Sequence, residues 1–227
     1  MRTNATANAT LSLTSVHGNY VFSKSGLILR LIIVDNFIPS LPTNLVSFFP
    51  NVFYFSVVRS NLKTIKRVNF NGMDMMKVLD LRHNKIITLD EDVFKDLTNL
   101  KKIDLSDNLI TFLPNNIFTS MYHLSKFIAN DNFIELFDSD IFQYNRKLED
   151  VHLWRNNVKA IRFDSKKLRR LQVFDVRQNV CIDEIFYVPS DFSTFEIQNK
   201  INVKCSSYVK VQGRLVYRRS GAFKRTQ

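Results

Sequence analysis

The sequence predicts an α/β repeat solenoid, with one parallel β-sheet lining a concave face and mostly irregular chain returning along the convex side. Three observations carry this prediction. The first is a period. The leading apolar position of each unit is Ile28, Val52, Met76, Leu100, Leu124, Leu148 and Leu171, at intervals of 24 residues that shorten to 23 at the last. A register held over so many units marks an array of stacked supersecondary units. The second is alternation. The fourth residue of each unit is Leu31, Phe55, Leu79, Ile103, Phe127, Val151 or Phe174, and the sixth is Ile33, Val57, Leu81, Leu105, Ala129, Leu153 or Val176. Side chains two residues apart on a strand share a face, so these columns point inward and the residues between them point out. The third is the ninth position, Asn36, Ser60, Asn84, Asn108, Asn132, Asn156 and Asn179.

Each part of the unit has a physical reason, and the stretch LKKIDLSDNLITFLPNNIF, residues 100 to 118, shows them in order. The strand comes first, and the chain must then turn back. An asparagine at that corner can donate to and accept from backbone groups of its own and the neighbouring coil, which would otherwise be buried unpaired. The eleventh position is again apolar: Ile38, Leu62, Ile86, Ile110, Ile134, Val158 and Cys181. Phe70, Phe94, Phe118 and Phe142 form a later aromatic column that can stack from coil to coil on the far side. One coil cannot fold alone. Burying about six apolar side chains at roughly 1.5–3 kcal/mol each falls short of ordering its backbone at roughly 1–2 kcal/mol per residue. Stacking, which covers both faces of every inner coil, closes the gap.

These residues resemble the leucine-rich repeat, LxxLxLxxNxLxxLPxxxFxxLxx, in its 24-residue form, over residues 28 to 180. Leu41-Pro42 and Leu113-Pro114 keep its LP pair, whereas Ser60 replaces one asparagine, Val46 one phenylalanine and Asn145 one leucine. The resemblance implies a horseshoe of about seven repeats within residues 27–180, an N-terminal flank or partial cap in 1–26, a C-terminal cap in 181–205 and a basic tail in 206–227.

In the cap segment VCIDEIFYVPSDFSTFEIQNKINVKC, Ser190 or Asp191 is positioned to cap a short helix that turns Phe192, Phe195 and Ile201 inward. The chain's two cysteines, Cys181 and Cys205, bracket that segment, as in the C-terminal flanks of extracellular leucine-rich repeat proteins. A disulfide there would stabilise by roughly 3–4 kcal/mol in the chain-entropy model. The alternative is a small buried apolar residue and a free thiol. At the other end, residues 1–26 hold no cysteine and no apolar h-region. Asn4-Ala5-Thr6 and Asn8-Ala9-Thr10 are nonetheless glycosylation acceptors, which matter only in the secretory pathway, although such tripeptides also arise by chance. Together with the cap they predict an extracellular protein, secreted or a cell-surface ectodomain, whose signal sequence and N-terminal cap lie upstream of this chain. Otherwise LSLTSV, residues 11–16, is expected as an edge strand over the first coil.

A composition 45% hydrophobic, with five glycines and five prolines, is globular and excludes collagen-like architecture. No apolar run approaches the eighteen residues of a bilayer span. The formal net charge is +11, and the last 22 residues contribute Lys210, Arg214, Arg218, Arg219, Lys224 and Arg225 with no acid. This tail reads either as an electrostatic arm for a polyanionic glycan or as solvated chain. Nucleic acid is not the expected partner, and a membrane enters only through an anchor outside this chain.

The outward-pointing strand residues are free of core duty, and strands about 4.8 Å apart give a concave ladder on the order of 30 Å long. Trp154, the single tryptophan, falls on it beside His152, Arg155, Arg177, Asn130 and Asp131, and Arg82 and Asp104 extend the same columns. This is the predicted site for a protein or peptide partner, since aromatic and arginine groupings dominate interface energetics. The alternative for Trp154 is a cation–π cover by Arg177 or Arg155. A second apolar patch comprises Ile32, Val34, Phe53, Tyr54 and Val58, unless the N-terminal segment covers it. His17, His83, His123 and His152 fall in different units, with no metal-ligand spacing. DSDIFQYNRKLED lacks the glycine and ligand order of a calcium loop. No catalytic residue, cofactor or metal is expected. The resemblance to Toll-type receptor ectodomains and to secreted leucine-rich repeat proteins of insect immunity implies recognition without chemistry. Other readings are an intracellular scaffold or adaptor and a matrix or adhesion protein.

Overall fold

The computed structural model describes residues 19–25, 28–43, 45–188, 194–205, 208–211 and 214–217. Its strands are β1 (Asn19–Ser25), β2 (Ile28–Val34), β3 (Val52–Val58), β4 (Val78–Asp80), β5 (Lys102–Asp104), β6 (Lys126–Ile128), β7 (Leu136–Asp138), β8 (Asp150–His152), β9 (Ala160–Arg162), β10 (Val173–Asp175), β11 (Ile185–Tyr187), β12 (Tyr208–Val211) and β13 (Arg214–Tyr217). Two helices, α1 (Leu45–Phe48) and α2 (Thr194–Cys205), complete it. The principal sheet runs β1-β2-β3-β4-β5-β6-β8-β10-β11. From β2 to β10 every neighbour is parallel, and the fourth positions pair in one row, Leu31 with Phe55, then Leu79, Ile103, Phe127, Val151 and Phe174. The chain is therefore a leucine-rich repeat solenoid, as the period predicts. On the convex side, β7 and β9 make a second parallel pair.

The edges differ from expectation in one respect. The strand covering the first coil is β1, which pairs antiparallel with β2 from Asn19↔Val34 to Ser25↔Ile28. Residues 11–16, Asn4 and Asn8 lie outside the described residues, as do Ser190, Asp191, Phe192, Arg218, Arg219, Lys224 and Arg225. At the other edge β11 pairs antiparallel with β10. Both ends of the parallel array thus meet a strand that occupies the open hydrogen-bonding edge. Within the tail, β12 and β13 pair as an antiparallel hairpin.

The core is one continuous stack. Phe70, Phe94, Phe118 and Phe142 are all fully buried. Phe118 and Phe142 stack with planes 2° apart and centroids at 5.1 Å, and the series passes to Phe137 and Phe174 at 5.2 Å. Asn145, in its leucine place, is buried and donates from Nδ2 to the carbonyls of Phe118 at 3.0 Å and Met121 at 2.6 Å. It ties two coils with hydrogen bonds where a leucine would tie them by packing. Cys181 and Cys205 form a disulfide, which pins α2 to the last coil. In α2 the buried residues are Ile197, Ile201 and Cys205, whereas Phe195 is 61% exposed. The expected inward turn of Phe195 is thereby corrected: residues four apart share a helix face, and 195 lies off the 197–201–205 stripe. Glu184 accepts from Lys200 and Lys204 of α2, and although burial opposes its charge, those two ammonium groups hold its carboxyl below the usual range.

Candidate recognition face

The asparagine corner sets the site's geometry. Asn108 accepts the Ile86 amide at 3.0 Å and donates to the carbonyls of Leu81 and Leu105 at 3.0 Å and Ser106 at 3.2 Å. Asn132, Asn156 and Asn179 repeat the pattern, each closing backbone groups of two coils. Just before each corner the eighth residue is left-handed: Asp35, Arg59, His83, Asp107, Asp131, Arg155 and Gln178 all have φ between 49° and 55°. A non-glycine residue there costs on the order of 1–3 kcal/mol and persists only where its surroundings over-determine it. The asparagine bonds supply that constraint. Sequence reasoning missed this backbone feature, although four of the seven are Asp or His, types enriched in the left-handed region.

The left-handed column swings its side chains to the rim of the concave face, where they pair between adjacent coils. Arg59 meets Asp35 at 2.6 Å, His83 meets Asp107 at 2.5 Å, and Arg155 meets Asp131 at 3.0 Å. One column inward, a second device recurs within single strands, where positions five and seven share a face. Asp80 receives both nitrogens of Arg82 at 2.9 Å, Asp175 receives Arg177 at 2.9 and 2.7 Å, and Asp104 receives the Ser106 hydroxyl at 2.7 Å. These carboxylates are buried, with exposures of 4–5%, as is Ser56. The expectation that Asp104 stands open to a partner is corrected here, whereas Ile32, Ile128 and His152 of the same column stay half-exposed. The position-seven side chains of Arg82, Ser106 and Arg177 bond over the buried acids. Burial opposes the Asp175 charge, yet the Arg177 side chain and amide outweigh it and hold the carboxyl below the usual range.

His152 and Trp154 form the other corner. His152 sits in register between Ile128 and Asp175. Its Nε2 is buried without a partner, and burial, aided by the Lys126 charge, pushes the imidazole below its ordinary pKa of 6.5. Trp154 is half-buried, and its amide donates to Asn130 Oδ1 at 2.9 Å. The Arg155 guanidinium lies 5.2 Å from the indole centroid, while Arg177 is committed to Asp175. Arg155 is thus the cation over the ring. In the apolar patch at the other end, Val58 is buried, Ile32, Val34, Phe53 and Tyr54 are half-buried, and Arg30 lies 4.3 Å over the Tyr54 ring.

Between these corners the face holds a depression of about 600 Å³. Arg82, Asp104, Asn130, Asp131 and Arg155 line it, whereas His152, Trp154 and Arg177 lie outside it. His83, Ser106, Asp107 and Ile128 also line it and were not singled out, although their columns are the same. Across the outward columns the basic residues are Arg30, Arg59, Arg82, Lys102, Lys126, Arg155 and Arg177, and the acidic ones are Asp35, Asp80, Asp104, Asp107, Asp131, Asp150 and Asp175. The face is formally neutral, so the chain's net charge of +11 resides elsewhere. Among the described residues no group of three or more His, Cys, Asp or Glu is gathered as metal ligands would be.

The leucine-rich repeat family model matches residues 50–110 and 76–134. None of the curated proteins matches the chain. Among solved structures, a TLR13–ssRNA13 complex is 23% identical with a TM-score of 0.58, over 63% of this chain and 20% of that one. Drosophila Toll in its complex with Spatzle is 20% identical with a TM-score of 0.59, over 64% and 21%. The APL1 leucine-rich repeat domain is 23% identical with a TM-score of 0.54, over 60% and 35%. The chain spans only about a fifth to a third of these structures' lengths. Period, asparagine ladder, parallel sheet and family match agree: the chain folds as a leucine-rich repeat solenoid, similar in fold to the TLR13 and Toll structures.

Proposed function

We propose that the chain is a non-catalytic recognition module that binds a protein ligand through its concave face, outside the cell, as part of a receptor ectodomain or a secreted immune or adhesion factor. The observation that carries this is the formally neutral lattice of charge pairs around the 600 Å³ depression. Protein surfaces present both signs of charge and complement such a lattice, which gives specificity more than raw affinity. A polyanion gains little from it. For that reason the protein ligand named for Toll's complex is the closer analogy here than the RNA named for TLR13's. The Cys181–Cys205 disulfide supports an oxidising compartment and tells against the intracellular scaffold.

The test uses a photo-crosslinking amino acid at Asn130, inside the depression, and at Lys95, on the convex side. In extracellular fluid from the native source, a discrete protein adduct should form from position 130 and not from 95. Equal labelling from both positions removes the concave face as the site. Thiol alkylation with mass spectrometry of the native protein checks the compartment, with oxidised cysteines and glycans at Asn4 and Asn8 expected.

A further inference from the structure

We propose a second binding surface, for a linear sulfated glycan, on the flank where the chain enters each strand. Backbone bonds show how that flank is ordered. The Lys101 amide donates to the Lys77 carbonyl at 2.8 Å, Ser125 to Lys101 at 2.9 Å, Glu149 to Ser125 at 2.8 Å and Gln172 to Glu149 at 2.7 Å. The residues just after each leading apolar position therefore stack coil upon coil. Just before that position, Lys147 Nζ lies 2.9 Å from His123 Nδ1, and Arg170 takes the equivalent place in the next coil. Lys77, Lys101, Lys147 and Arg170, flanked by Arg146 and Arg169, form a diagonal basic stripe across five coils, all six exposed. At about 4.8 Å per coil it is roughly 20 Å long.

What sets this stripe apart is that its charges are unspent. Among the described residues, none of the six is paired with a carboxylate. On the concave face five of the seven outward cations are, namely Arg59, Arg82, Lys126, Arg155 and Arg177, whereas Arg30 and Lys102 are not. The acids along the stripe are Asp74 and Glu149. Unpaired cations in a row release counterions to a linear polyanion, and arginine forks add bidentate hydrogen bonds to sulfate oxygens. Single-stranded nucleic acid calls for a series of stacking rings, and these columns hold one exposed aromatic, Tyr122. The inference rests on the extracellular location proposed above, which the disulfide supports and which is where sulfated glycans are displayed. The inference is independent of the concave-face reading, which concerns other residues.

The experiment titrates the full chain with a heparin octasaccharide at two salt concentrations. Charge reversal at Arg146, Lys147, Arg169 and Arg170 should weaken binding about tenfold or more and flatten the salt dependence. The substitutions Lys210→Gln, Arg214→Gln, Arg218→Gln and Arg219→Gln in the tail should change it by less than about threefold. Should the reversed chain fold poorly by circular dichroism, Arg146→Gln with Arg170→Gln is expected to weaken binding about threefold with an unchanged spectrum. Undiminished affinity in the folded stripe variants overturns the proposal. So does tighter binding of a single-stranded RNA of equal charge.

Discussion

The later coils and the first two coils solve the same corner differently. From Asn84 onward each asparagine closes amides and carbonyls of two coils at once. Asn36, in the first coil, makes one bond among the described residues, to the Val34 carbonyl, and its Oδ1 is buried without a partner among them. Ser60 is too short to reach across. Its hydroxyl bonds locally to the Val58 carbonyl at 2.9 Å, and the Ile38 amide instead takes the Ser60 carbonyl at 2.8 Å. That rerouting comes with a second left-handed residue, Asn61 at φ 54°, beside Arg59. The asparagine column therefore owes its value to bonding backbone groups of two coils, and in the second coil, where Ser60 is too short to do so, a backbone adjustment replaces it.

The comparison can be broken most forcefully at its centre. Asn108→Ala leaves the buried Ile86 amide unpaired and takes one of two donors from the carbonyls of Leu81, Leu105 and Ser106, which keep Asn84, Asn132 and the His83 amide, and it is expected to cost about 2–3 kcal/mol in urea unfolding. A loss equal to that of Asn36→Ala would remove the distinction between inner and outer corners. Asn61→Val places a β-branched residue in the left-handed region and should cost about 1–2 kcal/mol, with Asn61→Gly recovering most of it. Full stability in the valine variant would mean that the second corner relaxes freely. Asn36→Ala removes one hydrogen bond, and about 0.5–1 kcal/mol is expected. The smallest effect is a pH dependence confined to the inner coils. His152 is held below its ordinary pKa of 6.5, so the unfolded chain binds its proton first. Its contribution is complete above pH 6.5 and is lost as pH falls through the lowered folded value. His152→Gln should flatten that slope. The first coil carries Ile32 in the same column and has nothing there to titrate.

The site was legible in part. Trp154, Asn130, Asp131 and Arg155 fall on the face their spacing assigns, and three of them meet through the Trp154 amide and the Arg155 cover. Asp104 falls on that face too, but beneath Ser106, with Arg82 at 3.7 Å. A pattern of residue types shows which way a side chain leaves the strand. It does not show what the next coil lays over it.

What the sequence by itself determined is whatever depends on spacing along one chain: the 24-residue period, the inward columns, the asparagine corners and the cysteines that bracket the cap. Tertiary structure alone decided which acids are buried, which cations remain unpaired, which corner rotates a second residue and which strand closes the first edge. The first three depend on contacts between residues about 24 positions apart in sequence and brought side by side by stacking, and the last on the pairing of β1 with β2, whose partners lie 3 to 15 positions apart. Solvent is excluded and charges find their partners only when that stack has formed.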